Sequence, residues 1–243
     1  MIYVATHVGK HHTVSEDTVL VGSHVLFETT ATYPEPQNGF VCVADGVGGC
    51  RGGEKASRYV LRALANDQPG KEMDLRAFLT DINRRMIEEA RSEGTTPDMA
   101  TTMTGIYLED GACTLCHIGN TRAYIRQGKY LKQITPDHTV YAWLMNSGQV
   151  EAAERCNKNE ITNCFGGSNP ALLSKLYMTE CPPFSLALLT SDGVHEYVDL
   201  DTLETILFGE GSYEKKCEAI LRKARENGSE DDMSVVIYQR EDL

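Results

Sequence analysis

Tryptophan occurs once in this 243-residue chain, and positive charge is scarce: 23 Lys and Arg stand against 35 Asp and Glu, a formal net charge of −12. That shortage argues against nucleic acid and anionic membrane as partners, because both would be repelled. No stretch nears the roughly 18 consecutive apolar residues of a membrane span. Met1–Val8 alternates like a strand and lacks the basic start and apolar run of a secretory leader, so a cytoplasmic protein is expected. Internal repeats and low-complexity linkers are also missing, which predicts a single domain over 1–243. A chain of this size buries about seven-tenths of its surface on folding. It therefore needs no covalent staples, and its eight scattered cysteines read as reduced thiols. One close pair, Cys113-x-x-Cys116 followed by His117, has the look of a zinc motif. It lies in a strand-like stretch, however, where residues three apart point to opposite faces.

Two phosphate-site signatures are absent as well. No Gly-rich loop ends in Gly-Lys-Ser/Thr, and no Gly-x-Gly-x-x-Gly follows a strand.

The elements that are present come in a telling order. Short strands are predicted at Met1–Val8, Thr18–Val21, Val25–Thr29 and Phe40–Ala44, with Ala31–Gly39 as a loop. Helices follow at Glu54–Ala65 and Leu75–Arg91, each with an apolar stripe at helical spacing. Thr101–Leu108, Ala112–Ile118, Arg122–Arg126 and Lys129–Ile134 form a run of strands joined by turns. After a short helix at Thr139–Ser147 and an irregular stretch at Gly148–Pro170, strands return at Lys175–Thr179 and Ser185–Thr190. Helices near Leu200–Leu207 and Tyr213–Glu226 and a last strand at Ser234–Tyr238 complete the chain. Strands in hairpins with helices in adjacent pairs imply antiparallel sheets covered on their outer faces, an α+β class.

Four acidic clusters stand where such strands begin or end: Ser15-Glu16-Asp17, Asp45-Gly46, Asp192-Gly193 and Glu230-Asp231-Asp232. A lone Asp-Gly is an ordinary turn pair. Asp45 is harder to read that way, because Gly46, Gly48, Gly49, Gly52 and Gly53 crowd behind it. Such a loop exposes peptide carbonyls, and hard cations such as Mg²⁺ and Mn²⁺ take carboxylate, carbonyl and water oxygens.

In order and over nearly the whole chain, these clusters resemble the type-2C (PPM) metal-dependent protein phosphatases of bacterial type. Ser15-Glu16-Asp17 is similar to the family's Asn-Glu-Asp, and Val43–Gly49 to its Asp-Gly-x-Gly-Gly loop. Met99–Gly105, His117–Ile125 and Thr135–Thr139 resemble its middle motifs, and Leu188–Glu196 and Asp231–Val236 its last two metal motifs. The resemblance implies a four-layer α/β/β/α sandwich, two antiparallel sheets flanked by helix pairs. A flap at about 139–173 would lie beside the site. It also implies a protein serine/threonine phosphatase holding two Mn²⁺ or Mg²⁺ ions, whose shared hydroxide attacks phosphorus in line. Asp45, Asp192 and Asp231 would bind one cation, and Asp45 with the Gly46 carbonyl the other. Glu16 and Asp17 would hold waters, and Asp232 would support the ligands from behind. Its substrates would be phosphorylated proteins, its activity opposing that of a serine/threonine kinase, and the chain is expected to act as a monomer.

Three departures from the family pattern shape what to look for. His12 stands where a phosphate-contacting Arg is expected, with Lys10, His11 and Arg51 as candidates for the same task. Val47 replaces the His of many eukaryotic members, leaving His11, His12 or a metal-held water as proton donor. Asn120 replaces an Asp that helps bind a third cation, so the third site is expected to be weak or empty. A catalytically weak pseudophosphatase that binds metal or phosphopeptide, and a hydrolase of small phosphorylated metabolites, are the rival readings.

Overall fold

The computed structural model describes every residue except 48–51, 68, 70–73, 95, 97 and 241–243, and the side chain of Glu93. Its first strands are β1 (Ile2–His7), β2 (Thr18–Val21), β3 (His24–Leu26), β4 (Thr30–Tyr33) and β5 (Gly39–Ala44), followed by the helix pair α1 (Gly53–Asn66) and α2 (Leu75–Glu93). The middle of the chain is β6 (Ala100–Thr101), β7 (Met103–Glu109), β8 (Ala112–Ile118), β9 (Arg122–Gln127) and β10 (Tyr130–Gln133). Next come α3 (Val140–Asn146), α4 (Val150–Ala153), β11 (Phe165–Gly166), β12 (Tyr177–Glu180) and β13 (Leu186–Thr190). The chain then runs through α5 (Asp192–His195), α6 (Leu200–Phe208) and α7 (Tyr213–Glu226) into β14 (Met233–Gln239).

Two six-stranded antiparallel sheets carry the fold, ordered β10-β9-β13-β14-β1-β4 and β12-β8-β7-β5-β2-β3. Their central strands are buried on both faces, and the period of two divides each of these strands between two cores. Val19, Val21, Val41, Val43, Ala187, Leu189 and Val236 meet between the sheets. Their neighbours Leu20, Phe40 and Cys42 face the other way, against Val60, Leu64, Leu79 and Ile82 of α1 and α2. On the far side, Leu188, Val235 and Ile237 pack on Leu203, Cys217, Ile220 and Leu221 of α6 and α7. Three cores separate four layers, α/β/β/α, as the resemblance implies. Among the described residues no helix is long and apolar enough to cross a membrane.

The helices end where their caps allow. Asp74 accepts a hydrogen bond from the Ala77 amide at the start of α2, and Gly94 stops it at φ 68°. Cys113 and Cys116 do point to different cores, and both ring nitrogens of buried His117 are taken by Thr104 Oγ1 (2.7 Å) and the Pro136 carbonyl (2.6 Å). Burial pushes the His117 pKa down to about 3. A neutral, fully engaged imidazole is part of the core, and the zinc reading fails.

Several expected boundaries move. Ala31–Gly39 is not all loop, because Thr30–Tyr33 forms edge strand β4 on β1. Its β-branched and aromatic residues suit a strand, and the prolines begin only at Pro34, beyond its end. Val25–Thr29 shortens to β3, since Glu28 adopts φ 50°. Thr101–Leu108 is broken at Thr102, for a reason that belongs to the site below. Gly148–Pro170 contains α4 and β11, the latter paired with β6.

Gly105 marks the tightest approach inside the β5–β7 pair. A Cβ there would lie 2.8 Å from the Val41 carbonyl oxygen and run into the Cys42 sulfur. Gly105→Ala is expected to cost about 1–3 kcal/mol in urea unfolding, the usual range for overpacking a core. A change below about 0.5 kcal/mol would mean that β5 and β7 separate more readily than their packing implies.

Candidate metal centre

Register alone brings the acids together. β2 and β5 pair with Thr18 opposite Ala44, so Asp17 and Asp45, one residue beyond each, share one edge of their sheet. In the other sheet β13 and β14 pair with Thr190 opposite Val235, which sets Asp192 beside Asp231 and Asp232 at its edge. Two hydrogen bonds join these edges across the sandwich. Ser191 Oγ donates to Asp17 Oδ2 at 2.7 Å, and the Glu16 amide donates to Asp232 Oδ2 at 2.7 Å.

Each acid is held by a separate device. The Asp45 amide donates to Thr102 Oγ1 (3.1 Å), while its carbonyl accepts from Thr101 Oγ1 and the Thr102 amide, both at 2.8 Å. The break between β6 and β7 exists to make these contacts. Gly46 is buried, bridges to Thr101, and leaves no room for a side chain, since a Cβ would sit 2.5 Å from the Gly53 carbonyl carbon. Asp232 accepts from the Gly9 amide (2.7 Å), His12 Nδ1 (2.8 Å) and the Glu16 amide. His12, Asp231 and Asp232 lie close enough to share an ion. Asp232 already spends both oxygens on these three donors, so it is a tie for the β1–β2 loop.

The charges left over repel one another. Asp17, which is fully buried, has its pKa pushed well above the usual carboxylate range by burial, with Asp232 and Asp192 adding to it against the Ser191 hydrogen bond. Burial also raises Asp45, helped by Asp192, Asp17 and Asp231. Burial and then Asp231 push Asp192 up to about 6. Glu16 is raised by burial, with His12 working against it and Glu54 with it. Among the described residues no Lys or Arg pairs with Asp17, Asp45, Asp192 or Asp231.

The remaining candidates divide. His12 is half-exposed; burial lowers its pKa, but the Asp232 hydrogen bond and charge outweigh that and raise it. Lys10 and His11 both reach out to exposed Glu230, at 2.7 and 2.9 Å, and so turn toward solvent. Arg51 lies outside the described residues. Asn120 is buried and donates from Nδ2 to Asp192 Oδ2 at 2.9 Å. Its Oδ1, like Asp17 Oδ1, is buried without a partner among the described residues. Thr101, Thr102 and Ser191 were not singled out from the sequence. Ser191 stands directly before Asp192, and its role appears only when the sheets are stacked.

Orphaned buried oxygens amid mutually repelling carboxylates are the donor set that hard divalent cations take. For Asp192 the sign is plain. Its folded pKa exceeds the unfolded value, so its contribution to the metal-free fold is most favourable below about pH 4 and is lost as pH rises through 6. In EDTA at pH 8, Asp192→Asn should therefore be more stable than the parent by about 1–2 kcal/mol, the gap closing on acidification to pH 4. A gap that ignores pH in denaturant titrations would show that neither burial nor its acidic neighbours hold the Asp192 pKa up.

Comparison with known proteins identifies the family. Residues 30–235 match the family described as protein phosphatase 2C. The serine/threonine phosphatase stp of Listeria welshimeri is 27% identical over 215 residues, spanning 82% of this chain and 84% of that protein. The serine/threonine protein phosphatase PstP of Mycobacterium tuberculosis is 28% identical over 232 residues, 92% of this chain and 41% of that one. The solved structure of the M. tuberculosis phosphatase PstP/Ppp covers all of this chain and 99% of its own at TM-score 0.79 and 25% identity. The phosphatase Stp1 of Staphylococcus aureus has the same fold, with TM-score 0.81 over 99% of this chain and 95% of its own at 23% identity. With the match running from β4 into β14, the chain belongs to the protein phosphatase 2C family of enzymes.

Proposed function

We propose that the chain hydrolyses phosphoserine and phosphothreonine in proteins, using two Mn²⁺ or Mg²⁺ ions held at the joined sheet edges. The observation that carries this reading is the gathering of Asp17, Asp45, Asp192 and Asp231 with no Lys or Arg paired to them among the described residues. Asp45, Asp192 and Asp231 would bind one cation, and Asp45 with the Gly46 carbonyl the other, while Glu16 and Asp17 would accept hydrogen bonds from water. When bound, the cations supply Lewis acidity to water and to the phosphoryl oxygens. The chain's own part is to hold the donors still. Thr101 and Thr102 fix the Asp45 peptide, Ser191 fixes Asp17, and Asp232 fixes the loop that carries Glu16.

His12 would meet a phosphoryl oxygen. With Nδ1 on Asp232 it has Nε2 to offer, and Asp232 favours its charged form. Substrate choice would lie in the segment 139–173, whose strand β11 returns to pair with Thr101 beside Gly46. The activity would oppose that of a serine/threonine kinase, with the chain acting as a monomer in the cytoplasm.

Asn120 bears on the third cation. Its amide faces Asp192 with a donor, neutralising no charge and spending an Asp192 oxygen. Calorimetric titration should give two Mn²⁺ sites of comparable strength in the parent, and Asn120→Asp should add a third; three comparable sites in the parent would contradict this assignment.

The activity itself is tested with a phosphothreonine peptide, with and without Mn²⁺, beside Asp45→Asn. Turnover should require Mn²⁺ and fall at least 10²-fold in the variant, the scale expected when an electrostatic element of a site is removed. Metal binding that depends on Asp45, with no turnover by the parent, would overturn the enzymatic reading in favour of a regulatory pseudophosphatase.

A further inference from the structure

A cavity of about 750 Å³ opens against α1 and α2, beside the acid cluster but outside it. One end is formed by Val14, two residues before Glu16, and by Glu54, next to Gly53. The Glu16 carboxyl lies 2.8 Å from where a Gly53 Cβ would stand, so this end adjoins the metal centre. From there the wall follows α1 past Lys55, Arg58 and Arg62. At about 1.5 Å per residue, Arg62 lies roughly 12 Å along the helix from Glu54.

The charge along this wall is unbalanced. Arg58 lies over the Phe27 ring, 4.0 Å from its centroid, and its Nε and Nη2 are buried without a hydrogen-bond partner among the described residues. A guanidinium remains charged under all ordinary conditions, and one without a counter-ion favours an anion beside it. Lys55 and Arg62 form no ion pair among the described residues. Farther along, Asp67 is paired with Arg85 at 2.7 Å, and Glu89 keeps its charge beside the Tyr59 hydroxyl. Glu54 belongs to the metal-centre end, where it faces Glu16. In a chain of net charge −12, a lining of four cations (Lys55, Arg58, Arg62 and Arg85) against three acids (Glu54, Asp67 and Glu89) is a local reversal of sign, and three of those cations have no ion pair among the described residues.

We infer that this cavity binds the acidic residues flanking the phosphorylated residue of a protein substrate, so that the enzyme selects phosphosites in acidic surroundings. This rests on the phosphatase reading above and names the substrate class for that site. The occupant is fixed by charge complementarity and by continuity with the metal centre. An extended peptide, advancing about 3.3 Å per residue, passes from the level of Glu54 to that of Arg62 in roughly four residues. Carboxylates within about two to five positions of the phosphoresidue would meet Lys55, Arg58 and Arg62 in turn.

The test compares two phosphothreonine peptides, one carrying Asp and Glu two to five residues to either side and one carrying Ala there, in the parent, Arg58→Met and Arg62→Glu. The parent should favour the acidic peptide about tenfold in kcat/KM, through KM, and the preference should shrink toward 0.5 M salt as screening sets in. Both variants should bring it within twofold while leaving turnover of p-nitrophenyl phosphate unchanged. Equal use of the two peptides by the parent, or a preference that survives Arg62→Glu, overturns the inference. So does inhibition by citrate that Arg62→Glu relieves while peptide acidity has no effect, which would assign the cavity to a small anion. If no phosphate ester is turned over, the phosphatase reading has failed. Anisotropy of a labelled acidic peptide without phosphate then decides the cavity alone: binding lost in Arg62→Glu supports it, and no binding by the parent overturns it.

Discussion

Like charges brought within one another's field resist being held, and most of the particular features of this fold answer that resistance. Burial first, and then the charge of neighbouring carboxylates, raises the pKa values of Asp17, Asp45 and Asp192, so that all three would separate or take up protons if left free. They stay because strands buried on both faces end beside them, and because each backbone is pinned by uncharged donors. Thr101 and Thr102 pin one, and Ser191 and Ser234 join another to its neighbouring strand. None of these donors supplies a counter-charge, so the site keeps its appetite for cations.

Asp232 plays the opposite part with the same chemistry. Its carboxylate accepts from Gly9, His12 and Glu16, and so converts a negative charge into a fastening between loops. The approach is close. A side chain at Gly9 would strike the backbone of Glu230 and Asp231, and one at Gly193 would strike the Asp232 carbonyl. Two adjacent aspartates thus divide the work, one fastening the loop and the other available to an ion.

Much of this could be read from the chain before folding. The apolar runs in Phe40–Ala44 and in Ser185–Thr190 announce buried strands, and glycines crowded behind Asp45 announce a site rather than a turn. The acids stand out because aspartate at the end of an apolar strand is chemically expensive and needs a reason. Other features had no local signal. Ser191 and Thr102 are common residues whose partners lie 174 and 57 positions away, and only stacking and register bring them together. β4 was hidden by the prolines that follow it, since an edge strand tolerates them where a central one does not. Nothing in the spacing of Arg58 and Arg62 separates a lined hollow from an ordinary solvated helix face, because the distinction depends on Phe27 and on the packing of α2.

The pairing of β1 with β14 has a consequence for the life of the chain on the ribosome. These strands are neighbours inside one sheet, and the contact between Glu16 and Asp232 spans 216 positions. Contacts that distant are slow to form and cannot form during synthesis until the later partner has emerged. A nascent chain can complete the sheet of β2, β5, β7 and β8 early, yet it stays without Asp231 and without the fastening of its first loop until β14 is made. The acid cluster therefore cannot be complete until β14 has emerged, whatever has folded before it.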